Sequence, residues 1–161
     1  MMERLNLLES LLAHNSIEIQ QEASSWKEAI KLACKPLEKA GVITEKYYQE
    51  ILDSTEKYGP YYIIAKNFAM PHASDTENAV LSNGFSLVTL KEPVKFDDGQ
   101  EVKILMCLAA KDGEVHTQVA IPQIVAVFED ETNIAKIASS KTKEEVVEII
   151  KSVDYTKYVI Q

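Results

Sequence analysis

The chain has 161 residues, 46% of them hydrophobic, which predicts one folded domain over residues 1–161 rather than a disordered or fibrous protein. Its formal net charge of −8 argues against a nucleic-acid partner or an anionic membrane surface, because both reward clustered Lys and Arg. The apolar runs at 104–110 and 119–128 are far shorter than the roughly 20 residues of a membrane span. The N-terminus also lacks the pattern of a signal peptide, so we expect a cytoplasmic protein with no direct membrane insertion.

The first quarter of the chain is predicted to contain two helices and a strand. Leucines at helical spacing indicate a helix over residues 3–13, and a short strand follows at 16–20. A second helix is expected after Ser25 and Glu28, which form a capping-box pattern ahead of a regular apolar series. Pro36 should kink or shorten this helix because it removes one interior hydrogen bond.

The next segment is predicted to be a third helix that leads into a strand. Thr44 is a suitable cap for a helix that runs to about Lys57, and Gly59-Pro60 is a natural end for it. Residues 61–65 are rich in β-forming side chains and are short, which is typical of a buried or half-buried strand.

A proline precedes the second of the three histidines in the chain. Pro71 fixes its own φ, lacks a backbone N–H and biases Met70 toward extended geometry, so the chain cannot continue here as a helix. Residues 73–78 are small and polar, as in an exposed loop. We therefore expect His72 on a stiff turn between a strand and a loop.

Two further strands are predicted in the middle of the chain. Residues 84–90 alternate imperfectly and indicate a strand that is closed by Glu92-Pro93. A turn signal follows at 97–99, and residues 102–110 are almost entirely apolar. Such a run is typical of a central strand that is covered on both faces.

Three helices are predicted to finish the fold. The first, from about 114 to 128, is apolar around most of its circumference and should be bent by Pro122. Two shorter helices follow at 131–139 and 142–152, the last with a capping box of its own. The order of elements predicts a mixed α/β fold, a three-layer α-β-α sandwich with a central mixed parallel and antiparallel sheet.

The sequence lacks the common nucleotide-loop, zinc-protease and serine-hydrolase motifs, so its chemistry must be sought among the histidines. His14, at the end of the first helix, is interpreted as a surface or C-capping residue. His116 lies in the first turn of a buried helix, where backbone N–H groups are free to bind phosphate. If strands 61–65 and 102–110 are close in the sheet, His72 and His116 emerge at the same edge and could share one anion.

A neutral imidazole is a competent nucleophile toward phosphorus, and phosphoryl transfer needs mostly positioning and charge stabilisation. This chemistry requires no metal and no cofactor. Two other interpretations stay open at this point. Each histidine could simply satisfy a local hydrogen bond, or the protein could be a small hydrolase with His72 as base and His116 as acid. The hydrolase has neither an evident nucleophile nor carboxylates at ligand spacing.

The segment Phe68-Ala-Met-Pro-His72 resembles the phosphorylation-site motif of the mannitol/fructose-type enzyme IIA domains (EIIA type-2) of the phosphoenolpyruvate-dependent sugar phosphotransferase system (PTS). The similarity covers almost the whole chain and is greatest to the ascorbate-specific branch. Besides the motif it includes the Trp26 helix, Tyr47 to Leu52, Gly59-Pro60-Tyr61, Gly84-Phe85, Leu87 to Leu90, His116, Gln123 to Val125 and Phe128 to Asp130.

The resemblance implies a phosphocarrier for ascorbate or a related sugar acid. In that family the carrier protein HPr passes a phosphoryl group to the motif histidine, here His72 through Nε2, and a cysteine of the EIIB component receives it. His116 matches the second site histidine, which stabilises the phosphate and the transition state. The membrane component EIIC is served only indirectly. A free-standing regulator that signals through its phosphorylation state is the alternative within the same family.

The chain departs from the mannitol-type domains at the position of their phosphate-site arginine, where it has Glu56-Lys57. Lys57 or Ser74 is therefore the expected phosphate-binding residue. Phe68 and Met70 have two interpretations, as strand residues packed inward or as part of the surface that docks HPr and EIIB. The oligomeric state is left open, a homodimer included.

Overall fold

The computed structural model describes residues 5–73 and 79–156, which form a five-stranded sheet between two helical layers. The sheet has the order β1-β4-β5-β3-β2 and is mixed. Strands β1 and β4 are parallel, as are β3 and β5, whereas β4 and β5, and β2 and β3, are antiparallel. The strands are β1 (Ile17–Gln21), β2 (Ile63–Ala65), β3 (Asn67–Ala69), β4 (Gly84–Lys95) and β5 (Glu101–Ala109). The predicted fold class is confirmed.

The helices pack on both faces of the sheet. Helices α2 and α3 cover one face, while α1 and the helices that follow β5 cover the other. No helix within residues 5–73 and 79–156 is long and apolar enough to cross a membrane. The helices are α1 (Leu7–Ala13), α2 (Trp26–Lys39), α3 (Lys46–Tyr58), α4 (Gly113–Val115), a π-helical segment (His116–Ala120), α5 (Ile121–Phe128), α6 (Glu131–Ser139) and α7 (Lys143–Lys151).

Strand β5 is the centre of the core, as its apolar sequence predicts. Ile104, Met106 and Leu108 belong to the core cluster under α1 and α5–α7. The alternate residues Leu105 and Cys107 belong to the cluster under α2 and α3. Side chains alternate between the faces of a strand, so an unbroken apolar run is buried only when both faces are covered.

Two capping predictions are confirmed by hydrogen bonds. Ser25 Oγ accepts from the backbone N–H of Glu28 at 3.2 Å, and Thr142 Oγ1 accepts from that of Glu145 at 3.2 Å. Helix α2 is not shortened by Pro36, because it continues as far as Lys39.

The strand predicted at 61–65 is wrong in its bounds. The chain turns at Tyr61 and Tyr62, forms the edge strand β2, and reverses into β3 within one residue. Asn67 begins β3 with a φ of +67°, a left-handed conformation that asparagine tolerates better than most residues and that permits so tight a reversal. It is therefore β3, and not the predicted strand, that lies beside β5.

Strand β4 passes through Glu92 and Pro93, which were expected to close it. Thr89 pairs with Ile104 and Val94 with Val102, so residues 90–93 are opposed by Lys103 alone. Such a bulge leaves residues outside the hydrogen-bond ladder, which is where a proline is tolerated in a sheet. The sequence pattern marked the irregularity and not the end of the strand.

Candidate functional site

The segment that leaves β3 is held on both sides before it reaches the histidine. The backbone N–H of Met70 donates to the carbonyl of Tyr62 at 2.9 Å. The N–H of Leu108, in β5, donates to the carbonyl of Pro71 at 3.1 Å. Since Pro71 has no N–H of its own, these two bonds fix the extended segment while its proline fixes φ. His72 is the next residue, so its side chain extends from a backbone that is already fixed.

The imidazole of His72 has a defined tautomer. Its Nδ1 lies 2.8 Å from the carbonyl oxygen of Met70, and a carbonyl only accepts, so Nδ1 bears the hydrogen. The lone pair is therefore on Nε2. Burial lowers the pKa of His72, and the hydrogen bond to Met70 opposes that shift only in part. The ring is neutral at pH 7, with Nε2 available as a nucleophile.

His116 lies against this ring. The centroids of the two imidazoles are 4.7 Å apart, and their planes meet at 61°. His116 reaches this position because β5 ends beside β3 and a helix begins at once, capped by Asp112, whose carboxylate accepts from the N–H of Val115 at 2.8 Å. The prediction that His72 and His116 emerge at the same edge of the sheet is confirmed, although β3 rather than residues 61–65 brings them together.

The pKa of each of the two imidazoles is lowered from its ordinary value. The pKa of His116 is lowered to about 4, first by burial and then by the charge of His72. Burial also lowers the pKa of His72, so neither ring is readily protonated at neutral pH. At pH 7 both rings are neutral. Each then has one lone pair and one N–H group, so the histidine pair (His72 and His116) offers a nucleophile beside a hydrogen-bond donor.

The helix that follows β5 becomes irregular at His116. The N–H of Ile121 donates to the carbonyl of His116, five residues earlier, which defines a π-helical turn. Pro122 follows directly at the start of α5 and has no N–H to donate. Pro122 was expected to bend one long helix, and the structure instead places a wide turn ahead of it. Wide turns of this kind are common at functional sites.

The rings of two tyrosines, from the turn after α3, pack beside the imidazole of His72. The ring of Tyr61 meets the imidazole edge-on at 5.2 Å between centroids, and Tyr62 does so at 6.3 Å. Tyr62 is fully buried, and its hydroxyl hydrogen-bonds Thr55 Oγ1 at 2.7 Å. Tyr61 is 38% exposed and thus lies at the rim of the site.

The predicted phosphate-binding residues are not at the imidazoles in the described structure. Lys57 is near the end of α3, with its ammonium 5.1 Å from the ring centroid of Tyr58. Tyr58 contacts Tyr61, which contacts His72, so the described contacts connect Lys57 to the site only through two aromatic rings. Ser74 lies outside the described residues.

The docking hypothesis for Phe68 and Met70 is wrong. Phe68 is fully buried and stacks on Phe128 with centroids 4.1 Å apart, and Met70 is only 4% exposed. Both side chains face the same core cluster because they are two residues apart on an extended chain. The inward-packed interpretation of these two residues is the one that the structure bears out.

Sequence reasoning missed the part that tyrosine hydroxyls play here. Tyr61 Oη donates to the carbonyl of His72, and the N–H of Ala73 donates to Tyr47 Oη. Tyr47 is in α3 and remote in sequence from the loop that it contacts. No local spacing could have indicated this contact.

The third histidine does not belong to the pair. His14 caps the end of α1, as one of its two interpretations had it, and its Nδ1 lies 3.4 Å from Ser10 Oγ. It lines a cavity of about 560 Å³ between α1, β1 and α2, and neither His72 nor His116 is part of that lining. Within residues 5–73 and 79–156, no three His, Cys, Asp or Glu side chains are grouped so that they could hold a metal ion.

Comparison with known proteins gives a consistent result. The family model described as "Phosphoenolpyruvate-dependent sugar phosphotransferase system, EIIA 2" matches residues 10–153. The ascorbate-specific PTS system EIIA component of Escherichia coli (strain K12) is 45% identical over 148 residues, which cover 91% of this chain and 96% of that protein.

Solved structures with the same fold include a putative PTS IIA (PtxA) from Streptococcus mutans. It superimposes with a TM-score of 0.89 at 44% identity, covering 95% of this chain and 96% of that one. The complex of enzyme IIAMTL with phosphorylated enzyme IIBMTL from Escherichia coli also matches, with a TM-score of 0.73 at 29% identity over 85% of this chain and 94% of the other.

Proposed function

The chain belongs to the EIIA 2 family of the phosphoenolpyruvate-dependent sugar phosphotransferase system, and within that system we propose that it is a cytoplasmic phosphocarrier with His72 as its phosphoryl acceptor. The observation that carries the proposal is the imidazole of His72, with its proton fixed on Nδ1 by Met70 and a second neutral imidazole 4.7 Å away. A phosphoryl acceptor needs an unprotonated nitrogen in a fixed direction, and this arrangement supplies it.

In the first step, Nε2 of His72 forms a bond to phosphorus while the bond between phosphorus and the phosphohistidine nitrogen of HPr breaks. The electron pair of the broken bond stays on the imidazole of HPr. Nδ1 of His72 keeps its proton throughout and continues to donate a hydrogen bond to the Met70 carbonyl. His116 donates its N–H to a phosphoryl oxygen and so stabilises charge as the group passes between the two nitrogens.

In the second step, a cysteine thiolate of EIIB forms a bond to phosphorus while the bond to Nε2 of His72 breaks. The electron pair returns to Nε2, and the neutral imidazole is restored. The structure in which IIAMTL is bound to phosphorylated IIBMTL supports EIIB as the receiving partner. The membrane component EIIC then takes part only through EIIB.

The transported compound is proposed to be ascorbate or a related sugar acid. Support comes from the 45% identity to ascorbate-specific EIIA components, which extends over 91% of this chain. A phosphocarrier need not contact the sugar, so the proposal concerns the transport system that the protein serves and not a sugar site on its surface.

The test is phosphorylation in a reconstituted mixture of phosphoenolpyruvate, enzyme I and HPr, followed by intact-mass spectrometry. Wild type should gain one acid-labile phosphate, His72→Ala should gain none, and His116→Ala should gain it slowly or pass it on slowly. His14→Ala is the matched control, because this third histidine caps α1 outside the pair, and it should behave as wild type. Phosphate on His72→Ala, or none on wild type, would refute the proposal and reopen the hydrolase alternative.

Addition of the cognate EIIB separates a carrier from a free-standing regulator. A carrier loses its phosphate to the EIIB cysteine at least as fast as the complete transport system phosphorylates its sugar. A regulator retains the phosphate, and in that case the transport role is wrong while His72 remains the acceptor.

A further inference from the structure

One peptide unit, between His72 and Ala73, is held at both ends by tyrosine hydroxyls. Its carbonyl oxygen accepts from Tyr61 Oη at 2.5 Å. Its N–H donates to Tyr47 Oη at 3.4 Å. Both tyrosines come from the α3 region, one inside the helix and one in the turn that follows. Two hydroxyl groups, one from α3 and one from the turn after it, therefore hold the backbone directly after the acceptor histidine.

Each hydroxyl is itself anchored. Tyr47 is 1% exposed, and its Oη donates to the carbonyl of Leu108 in β5 at 2.5 Å, so the phenol bridges the loop and the central strand. Ser54 in α3 is a hydrogen-bonding neighbour of the Tyr61 side chain. Burial raises the pKa of both phenols, which therefore stay protonated and able to donate over the whole neutral range.

The hydrogen bonds on the other side of His72 complete the restraint. The preceding peptide unit is fixed through the carbonyl of Pro71, which accepts from Leu108 N–H. With the peptide units before and after His72 both fixed, the direction of its Cα–Cβ bond is fixed, and the Met70 carbonyl then orients the ring. Phosphoryl transfer depends chiefly on positioning, and a misplacement of about 1 Å can cost about a hundredfold in rate.

We propose that Tyr47 and Tyr61 are positioning residues for phosphoryl transfer at His72, acting together through the His72–Ala73 peptide unit. The inference rests on the proposed function of His72. Neither tyrosine is assigned contact with the phosphoryl group, and their effect is exerted through the backbone.

Tyr47→Phe and Tyr61→Phe delete the hydroxyls and keep the rings. Two neighbouring tyrosines provide matched controls. Tyr48→Phe removes a hydroxyl that donates to the carbonyl of Lys27 in α2, and Tyr58→Phe removes one from a ring that is 57% exposed. Phosphorylation by phospho-HPr is followed in rapid-quench single turnovers over a range of donor concentrations, which separates the maximal rate from the half-saturating concentration.

Tyr47→Phe and Tyr61→Phe should each lose about tenfold in maximal rate, with an unchanged half-saturating concentration, and the two controls should stay within twofold of wild type. Rates of Tyr47→Phe and Tyr61→Phe within twofold of wild type would overturn the proposal. So would a rise in the half-saturating concentration alone for Tyr61→Phe, since that result would assign Tyr61 to partner docking. Tyr61→Phe, at a partly exposed site, keeps the test decisive if Tyr47→Phe fails to fold.

The double variant tests whether the hydroxyls act on one unit. Residues that hold the same group are not additive, so the double variant should lose markedly less than the product of the two single losses. A loss equal to the product would show independent effects and would contradict a shared peptide unit.

Amide hydrogen exchange at Ala73 tests the contact without any phosphoryl transfer. Ala73 N–H should exchange at least tenfold faster in Tyr47→Phe than in wild type and Tyr48→Phe, because its acceptor is gone. Equal exchange in all three proteins would overturn the proposed positioning role of Tyr47, even if His72 is phosphorylated. If wild type gains no phosphate, the proposed function and the positioning role both fail, and the exchange result still reports on the hydrogen bond.

Discussion

The depressed pKa of His116 makes the stability of the protein depend on pH in a defined window. Burial, and next the charge of His72, lowers this pKa to about 4 in the folded protein, against about 6.5 in an unfolded chain. Between these values the unfolded chain binds a proton that the folded protein does not. The contribution to stability is therefore fully present above pH 6.5, is lost as the pH falls toward 4, and changes no further below that.

The magnitude follows from the two pKa values. Their difference corresponds to about 3.4 kcal/mol for a fully buried group. His116 is only half-buried, and solvent screening reduces the effect, so we expect about 1.5 kcal/mol. This is a measurable fraction of the 5–15 kcal/mol that is typical of a domain.

The assay is urea unfolding of wild type and His116→Gln at pH 7.5 and pH 4.5. Glutamine keeps a hydrogen-bonding side chain of similar reach and does not titrate. At pH 4.5, which is still above the folded pKa, about three quarters of this effect is lost, so wild type should lose about 1 kcal/mol more of its free energy of unfolding than His116→Gln, since all other titrating groups are common to both. His14→Gln, in which the pair is intact, should lose as much as wild type.

An equal loss in wild type and His116→Gln, within about 0.5 kcal/mol, would refute the reasoning. It would mean that His116 is hydrated in solution, and the neutral imidazole beside His72 would lose its physical basis.

Three further substitutions test the packing and the local structure around the site. Phe68→Ala should lower the free energy of unfolding by about 3–5 kcal/mol, because it removes the ring that stacks on Phe128 at 4.1 Å; a loss below about 1.5 kcal/mol in urea unfolding would contradict the buried stack. Gly59→Ala should lower the free energy of unfolding by about 1 kcal/mol, because Gly59 has a φ of +76°, which alanine adopts only with strain. A Cβ at this position meets nothing within 4 Å, so no steric clash adds to that cost. An unchanged melting temperature would show that the backbone adapts. Thr142→Ala should cost about 1 kcal/mol by removing the acceptor of the Glu145 N–H, whereas Thr142→Ser should retain wild-type stability in the same thermal unfolding; equal losses would exclude a capping role.

The parts of the fold that sequence predicted best are those fixed by neighbours in the chain. The caps at Ser25 and Thr142 each need only one side-chain oxygen and an N–H three residues later, and both were found. The bounds of α6 and α7 agree with the apolar spacing for the same reason. By contrast, Glu92-Pro93 indicates an irregularity in β4, but the continuation of the strand beyond it depends on pairing with β5, which no local pattern contains.

The histidine pair was predicted from topology although one strand was misplaced. The prediction required only that the strand before His72 and the strand before His116 run parallel and lie side by side. Strand β3 satisfies this condition, and residues 61–65 form an edge strand that reverses into it. A one-strand error was harmless because the carboxyl ends of adjacent parallel strands meet at one edge of the sheet.

Contacts between distant side chains could not be predicted in the same way. Phe68 next to the motif could equally have faced a partner, and only its stack on Phe128, sixty residues later, places it in the core. The hydroxyl of Tyr47 reaches Ala73 because both residues belong to the core cluster under α2 and α3, and that cluster exists only in the assembled fold. Sequence thus located the histidine pair and left the residues that hold it in place unidentified.

These backbone contacts explain how a site without a nearby carboxylate in its described contacts can prepare an imidazole for the proposed phosphoryl transfer. Burial lowers the pKa of His72 and keeps the ring neutral, but burial alone would leave either nitrogen free to bear the proton. The Met70 carbonyl removes that ambiguity, because it accepts a hydrogen bond from Nδ1–H and so keeps the proton on Nδ1. The carbonyl can do so only while the backbone on both sides of His72 is held, through Leu108 before it and the tyrosines after it. Nucleophilicity here is therefore set by backbone geometry as much as by the electrostatics of the two rings.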